Sequence, residues 1–309
     1  GTATASSQLC GPKRRAFRLS APVNAKPQSR VVTLCNRSKF EIANCQLSLV
    51  NPTMKLAFST NAYLKYSFRD AVTRLARLGY QGVEIMADVP HAWPAYLLEE
   101  QKDAIRQALA DNKLAISNIN SFMMHAVDDP RQKYWHPSWI EPDPNYRKIR
   151  INHTMKALTL AKELGAPCIT TEPGGPVAPG ESWKAALMLF VEMIKPVAEH
   201  AEKEGVLLLV EPEPGLLIET ADQFLEFMQH IDSPAVALNF DIGHSYCVSD
   251  DPATTIPRVA KYIRHFHLED IGATRVRAVI GAQLLRDTHT NPPQNRHRDR
   301  EAYSTRPRR

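Results

Sequence analysis

The sequence predicts a (β/α)8-type barrel, and three observations predict it. Short apolar runs alternate with amphipathic stretches seven times between residues 54 and 270, the pattern of parallel strands joined by helical crossovers. Each strand–helix unit averages about 31 residues, a barrel-like period. No Gly-rich phosphate loop follows the first strand, which argues against the rival doubly wound sheet.

The strand patterns are LAFSTNAY at 56–63, GVEIMAD at 82–88, AISNINSF at 115–122, ITTEP at 169–173, LLVEPEP at 208–214, LNFDIGHS at 238–245 and RHFHLED at 264–270. Between them lie stretches with apolar residues at three- and four-residue spacing, such as Ala71, Val72, Leu75, Ala76 and Leu78, which build one face of a helix. Gly79, Gly165 and Gly205 stand just before the next strand, where a helix needs a stop signal. The segment after the third strand, roughly residues 123–147, is long and rich in aromatic and histidine side chains, including His125 and Trp135. Long segments on the carboxyl face of a barrel carry substrate contacts, so His125 and Trp135 are candidate substrate-binding residues, with packing on the barrel rim as the alternative.

An eighth unit is due near residues 290–300, but that stretch reads TNPPQNRHRDR, and paired prolines with an arginine run exclude a buried strand. The sequence therefore predicts a barrel truncated or frameshifted before its eighth strand, with the composition breaking after Ala273. Three segments follow: a basic irregular leader at 1–53, the barrel at 54–274 and a basic irregular tail at 275–309. The leader holds eight Lys/Arg against one acid, Glu41, and the tail nine Arg against three acids. The chain's formal charge of +5 thus hides a barrel segment of about −8, which argues against a nucleic-acid track. The leader reads as upstream read-through before Met54, or as a transit-like segment, so the expected compartment is cytoplasmic, or organellar in the second case. Cys168 and Cys247 show no CxxC spacing, and no apolar run approaches the roughly 20 residues of a membrane span.

The chemistry lies at the strand ends. Glu172, Glu211 with Glu213, Asp241 with His244, and His265, His267 and Glu269 close four successive strands. A parallel barrel collects such ends on one face, and residues two apart share a side of the strand. Converging carboxylates repel one another and lose charge when buried without a partner. A divalent cation removes that repulsion, and oxygen donors with one or two imidazoles suit Mn²⁺, Mg²⁺ or Co²⁺ better than Zn²⁺. For any single glutamate a buried salt bridge is the competing reading.

LAFSTNAY, GYQGVEI, VEPEPG, NFDIGHS and HFHLED together resemble the xylose isomerase-like barrel superfamily, most closely its sugar phosphate isomerase/epimerase branch, over residues 54–270. The resemblance implies Glu211, Asp241 and His267 as three of four metal ligands. It places His244 beside substrate or metal, and Glu84 as a site-lining, substrate-binding glutamate, with strand packing as the alternative. The implied activity is a divalent-metal-dependent sugar isomerase or epimerase that moves a proton beside a carbonyl through an enediolate. Glu211 is then ligand and base, His244 orients a substrate hydroxyl, and Glu172 is the candidate second base. The family's fourth ligand, a glutamate on the eighth strand, has no match here, so the chain reads as an incomplete copy. The expected partner is a small carbohydrate or hydroxy-ketone, with no nucleic acid and no membrane, and assembly into a homo-oligomer left open. The alternatives are a metal-dependent phosphodiesterase of the apurinic-site endonuclease type and a catalytically silent barrel.

Overall fold

The computed structural model describes the backbone of residues 32–35 and residues 55–123 and 135–269 in full. All seven expected strands form: β2 (Leu56–Ser59), β3 (Gly82–Met86), β4 (Ala115–Asn120), β5 (Cys168–Thr171), β6 (Leu207–Val210), β7 (Val236–Asp241) and β8 (Ile263–Leu268). Each pairs in parallel with the next, from β2 to β8. An eighth parallel strand would fill the gap between β8 and β2. In its place stands β1 (Val32–Cys35), antiparallel to both neighbours, and the barrel is closed.

This strand departs from the irregular leader expected over residues 1–53. The open edges of β2 and β8 each present a row of unpaired backbone donors and acceptors. A four-residue run, VTLC, with β-branched residues at its first two positions, satisfies both rows at once. The expectations for residues 275–309 lie outside the described residues.

The crossovers are helices whose starts are written in their caps. Ser67 caps α1 (Phe68–Arg77), Asp143 with Pro144 opens α3 (Pro144–Leu164), and Ser182 caps α4 (Trp183–Glu204). Thr220 and Gln223 form a capping box on α5 (Ala221–Met228), and Asp251 caps α7 (Pro252–Val259). Each cap oxygen accepts a backbone N–H that the first helical turn leaves unpaired. The uncapped α2 (Glu99–Asn112) supplies the crossover from β3 to β4. The expected stops at Gly165 and Gly205 are left-handed, with φ of 75° and 68°.

Two cores result. The larger lies between strands and helices, where Val83, Ile85, Ile119, Ile169, Leu208, Val210 and Leu238 meet Leu75, Phe190, Phe224 and Phe227. The second is a small cluster of Cys168, Leu209 and Ala237, on the opposite face of β5, β6 and β7. Two residues further along the same strand faces the side chains become Thr170, Glu211 and Asn239, then Asp241. The bore is therefore apolar below and polar above, and the polar end is the carboxyl end of the strands. No described helix is long and apolar enough to cross a membrane.

Candidate metal centre at the mouth of the barrel

Asp241 ends β7 directly beside His267 of β8, its register partner. Asp241 also caps α6 (Ile242–Cys247): one carboxylate oxygen, Oδ1, accepts the His244 N–H at 2.9 Å. That bond fixes the side chain and leaves Oδ2 facing His267 Nδ1 at 3.8 Å. Glu211, just past β6, brings Oε1 to 2.7 Å from the same Nδ1. One donor atom each from Glu211, Asp241 and His267 thus lies within 4.8 Å of the others, and all three residues are buried.

The imidazole of His267 is held from both sides. Its Nε2 lies 2.8 Å from Glu84 Oε2, and Glu84 in turn accepts from Asn118 Nδ2 at 2.8 Å. Burial opposes charge on this ring, but Glu211 and Glu84 outweigh it and raise its pKa well above the usual histidine range. Burial raises the Glu84 carboxyl, but His267 and His265 together outweigh it and hold it well below the carboxylate range. His265, one turn of the pleat deeper, is pushed down to about 4, chiefly by burial. Neither of its ring nitrogens has a hydrogen-bond partner among the described residues.

His244 forms the outer part of the site. Nδ1 lies 3.1 Å from the Pro212 carbonyl, 3.8 Å from Glu213 and 4.0 Å from Glu211. Nε2 lies 3.6 Å from Glu269 and 4.0 Å from Asp241. Burial works against its charge, and Asp241, Glu213, Glu269 and Glu211 together push it up to about 10. Carboxylates outnumber imidazoles throughout this mouth.

The donor set fits a divalent cation. Glu211, Asp241 and Nδ1 of His267 converge from three strand ends, as oxygen-rich coordination of Mg²⁺ or Mn²⁺ requires. The Glu84–His267 contact supplies the outer carboxylate that metal-ligating histidines ordinarily carry on their other nitrogen.

Glu172 and Glu84 each have partners of their own within the fold. Glu172 was the candidate second base, but it belongs to none of the carboxylate–histidine groups found among the described residues. Its Oε1 accepts the Trp139 N–H at 3.2 Å and its Oε2 the Gly174 N–H at 2.6 Å, with Arg150 Nε 3.8 Å away. The reason is the turn after β5. Gly174 and Gly175 have φ of 116° and 89°, and a Cβ on either would meet Leu217 or Ser138 at 2.6 and 2.4 Å. This tight turn lays the backbone over Glu172 and occupies its oxygens. Glu84, expected to line the site for substrate, is only 1% exposed and lies behind the His267 ring. Trp135 is buried, and its carbonyl lies 3.5 Å from Arg150 Nη2. His125 lies outside the described residues.

The sequence reading missed Arg150. Fully buried on α3, it donates to the carbonyls of Pro137, Ser121, Phe122 and Trp135 at 2.8, 2.9, 3.4 and 3.5 Å. The available signal was its place at the head of the spacing Arg150, His153, Thr154, Ala157, the inward face of that helix.

Seven parallel strand–helix units, with β1 closing the ring, gather carboxylates and histidines at the strand ends and form a candidate metal site. The family model described as "Xylose isomerase-like TIM barrel" matches residues 72–299, and the chain belongs to that family. Among curated proteins it is similar to the inosose dehydratase of Clostridium beijerinckii, 22% identical over 78% of this chain and 74% of the relative. It is also similar to the fructoselysine 3-epimerase of Escherichia coli O157:H7, 24% identical over 72% and 80%. Among solved structures, D-psicose 3-epimerase with D-tagatose from Clostridium cellulolyticum H10 superposes with a TM-score of 0.57 at 21% identity, covering 76% and 81%. The relatives are thus sugar-modifying enzymes, epimerases and dehydratases both.

Proposed function

We propose that this chain is a divalent-cation-dependent enzyme that removes a proton from the carbon beside a carbonyl in a small carbohydrate or hydroxy-ketone. The observation that carries the reading is the convergence of Glu211, Asp241 and His267 within 4.8 Å at the strand ends. A cation held there, with Mn²⁺, Mg²⁺ or Co²⁺ suited to the donors, supplies Lewis-acid polarisation of the substrate carbonyl. The protein's own groups do the rest. Glu211, 2% exposed and bonded to His267, is the base that takes the proton from carbon. His244 is held by the Pro212 carbonyl, and Glu213 and Glu269, neither a proposed ligand, favour its charged form, so it donates to a substrate hydroxyl and orients it. Returning the proton to the neighbouring carbon, or to the opposite face, completes an isomerase or epimerase cycle.

A dehydratase is the second reading, and one observation favours it. The candidate second base, Glu172, is committed to Trp139, Gly174 and Arg150. Loss of a hydroxyl on the next carbon, protonated as it leaves, needs one base and one acid only, and Glu211 and His244 fill those roles.

The two readings share the first proton transfer and part at the second step. With Mn²⁺ and a ketose in D₂O, an epimerase or isomerase puts deuterium on the carbon beside the carbonyl of recovered or product sugar. A dehydratase instead generates an absorbing enone. Glu211→Gln abolishes either outcome. A diester cleaved while carbon stays unlabelled would refute both readings.

A further inference from the structure

Glu84 is separated from β8 by two strands, β2 and β1, yet it reaches the same imidazole as Glu211 does. We propose that Glu84 is a positioning residue that fixes the His267 ring, so that a divalent cation is met by Nδ1 while Nε2–H stays on the Glu84 carboxylate. The inference rests on the cation reading above and adds which nitrogen binds and what selects it.

Asn239 Nδ2 lies 3.3 Å from Nδ1 and 3.4 Å from Nε2, but the two nitrogens face different carboxylates. Nδ1 is 2.7 Å from Glu211 and 3.8 Å from Asp241, the two proposed ligands, whereas Nε2 is 2.8 Å from Glu84. Turning the ring half a revolution about its Cβ–Cγ axis would put C–H groups against both Glu84 and Glu211 and break both bonds. Buried charged oxygens left facing carbon are costly, so the ring has one tenable orientation. Glu84 itself is anchored. Asn118, its register partner on β4, donates one amide proton to Glu84 Oε2 at 2.8 Å and the other to Thr170 Oγ1 at 2.8 Å. A buried chain thus runs from Thr170 of β5 through Asn118 and Glu84, then across the bore to His267. Each link is 2.8 Å long, and Glu84, Asn118 and Thr170 are 1%, 0% and 0% exposed. Water cannot easily replace any of them. Outer carboxylates of this kind set the tautomer of a ligating histidine and raise its basicity.

The test uses the full chain labelled with ¹⁵N-histidine and loaded with ¹¹³Cd²⁺, a diamagnetic probe. One-bond Cd–N coupling is expected at His267 Nδ1, with a protected, downfield Nε2–H. Coupling at Nε2 would overturn this proposal while leaving the cation reading intact, and absence of coupling at His267 would overturn both. As a second measurement, Glu84→Gln keeps an acceptor oxygen but loses the charge, and should weaken Cd²⁺ and Mn²⁺ binding by about 10–100-fold. Glu84→Ala should weaken it further. Unchanged affinity in a folded Glu84→Ala protein would refute the role, and a variant that fails to fold leaves the wild-type coupling as the deciding result.

Discussion

Glu211 and Glu172 end neighbouring strands and are hidden almost equally, at 2% and 0% exposure, yet their charge is managed in opposite ways. Around Glu172 the balance is fixed by the fold: the buried Arg150 and the N–H groups of Trp139 and Gly174. Burial still dominates and pushes its carboxyl up to about 7. Around Glu211 the neighbours are Asp241, Glu213, His244 and His267, with Glu269 and Glu84 just beyond. Acids prevail there, and Glu211 and Asp241 form their ion pairs with the imidazoles of His244 and His267. A carboxylate with its counter-ion built into the chain is a structural element. Carboxylates paired with imidazoles, which can give up a proton, form the place where we propose that a cation binds.

Removing the built-in counter-ion should have the largest effect. Arg150→Met leaves Glu172 without its cation and strips four carbonyls of a donor. The expected loss is about 3–5 kcal/mol, read by urea unfolding at pH 7.5. A loss below about 1 kcal/mol would erase the distinction between the two regions.

The next effect is smaller and depends on pH. In the folded chain burial pushes Glu172 up to about 7 from the ordinary glutamate value of 4.5, so between those values the folded state holds a proton that the unfolded state has released. Stability from this group is therefore fully present below about pH 4.5 and falls as pH rises to about 7, by about 3 kcal/mol in all. Glu172→Gln removes this slope. Relative to wild type, the variant should gain stability between pH 5 and pH 8, measured by denaturant titration at both. A constant difference would show that Glu172 does not titrate in that window.

The smallest effect sets the scale. Thr220→Ala deletes the cap of α5, away from both regions, and should cost about 1 kcal/mol with no change in cation affinity.

The contrast also marks what the sequence could tell. The seven parallel strands and their order were legible, because apolar runs alternate with helical periods. Parity gathered Glu172, Glu211, Glu213, Asp241, His265, His267 and Glu269 at the strand ends, and the family resemblance singled out Glu211, Asp241 and His267 as a set. Glu172 satisfies the same parity, but the turn at Gly174 and Gly175, which the pattern does not show, determines what its oxygens meet. Counting inward positions would also have found Asn118, which pins Glu84; the pattern alone does not show that Glu84 crosses the bore. Arg150 reads as an ordinary helix arginine until four carbonyls are brought to it from residues 13 to 29 positions away. β1 was hidden for another reason: four residues gain strand character only where two sheet edges stand open.

The central claim is that cation binding belongs to the Glu211 side and not to the Glu172 side. The most direct measurement is the divalent-ion content and Mn²⁺ affinity of wild type, Asp241→Asn and Glu172→Gln, purified and titrated in parallel. Asp241→Asn keeps a side-chain oxygen to cap α6, so it tests the ligand more than the fold. The account predicts about one ion per chain in wild type and in Glu172→Gln, and loss of binding in Asp241→Asn. An ion-free wild type that does not take up Mn²⁺, or a Glu172→Gln chain that loses the ion as Asp241→Asn does, would contradict it.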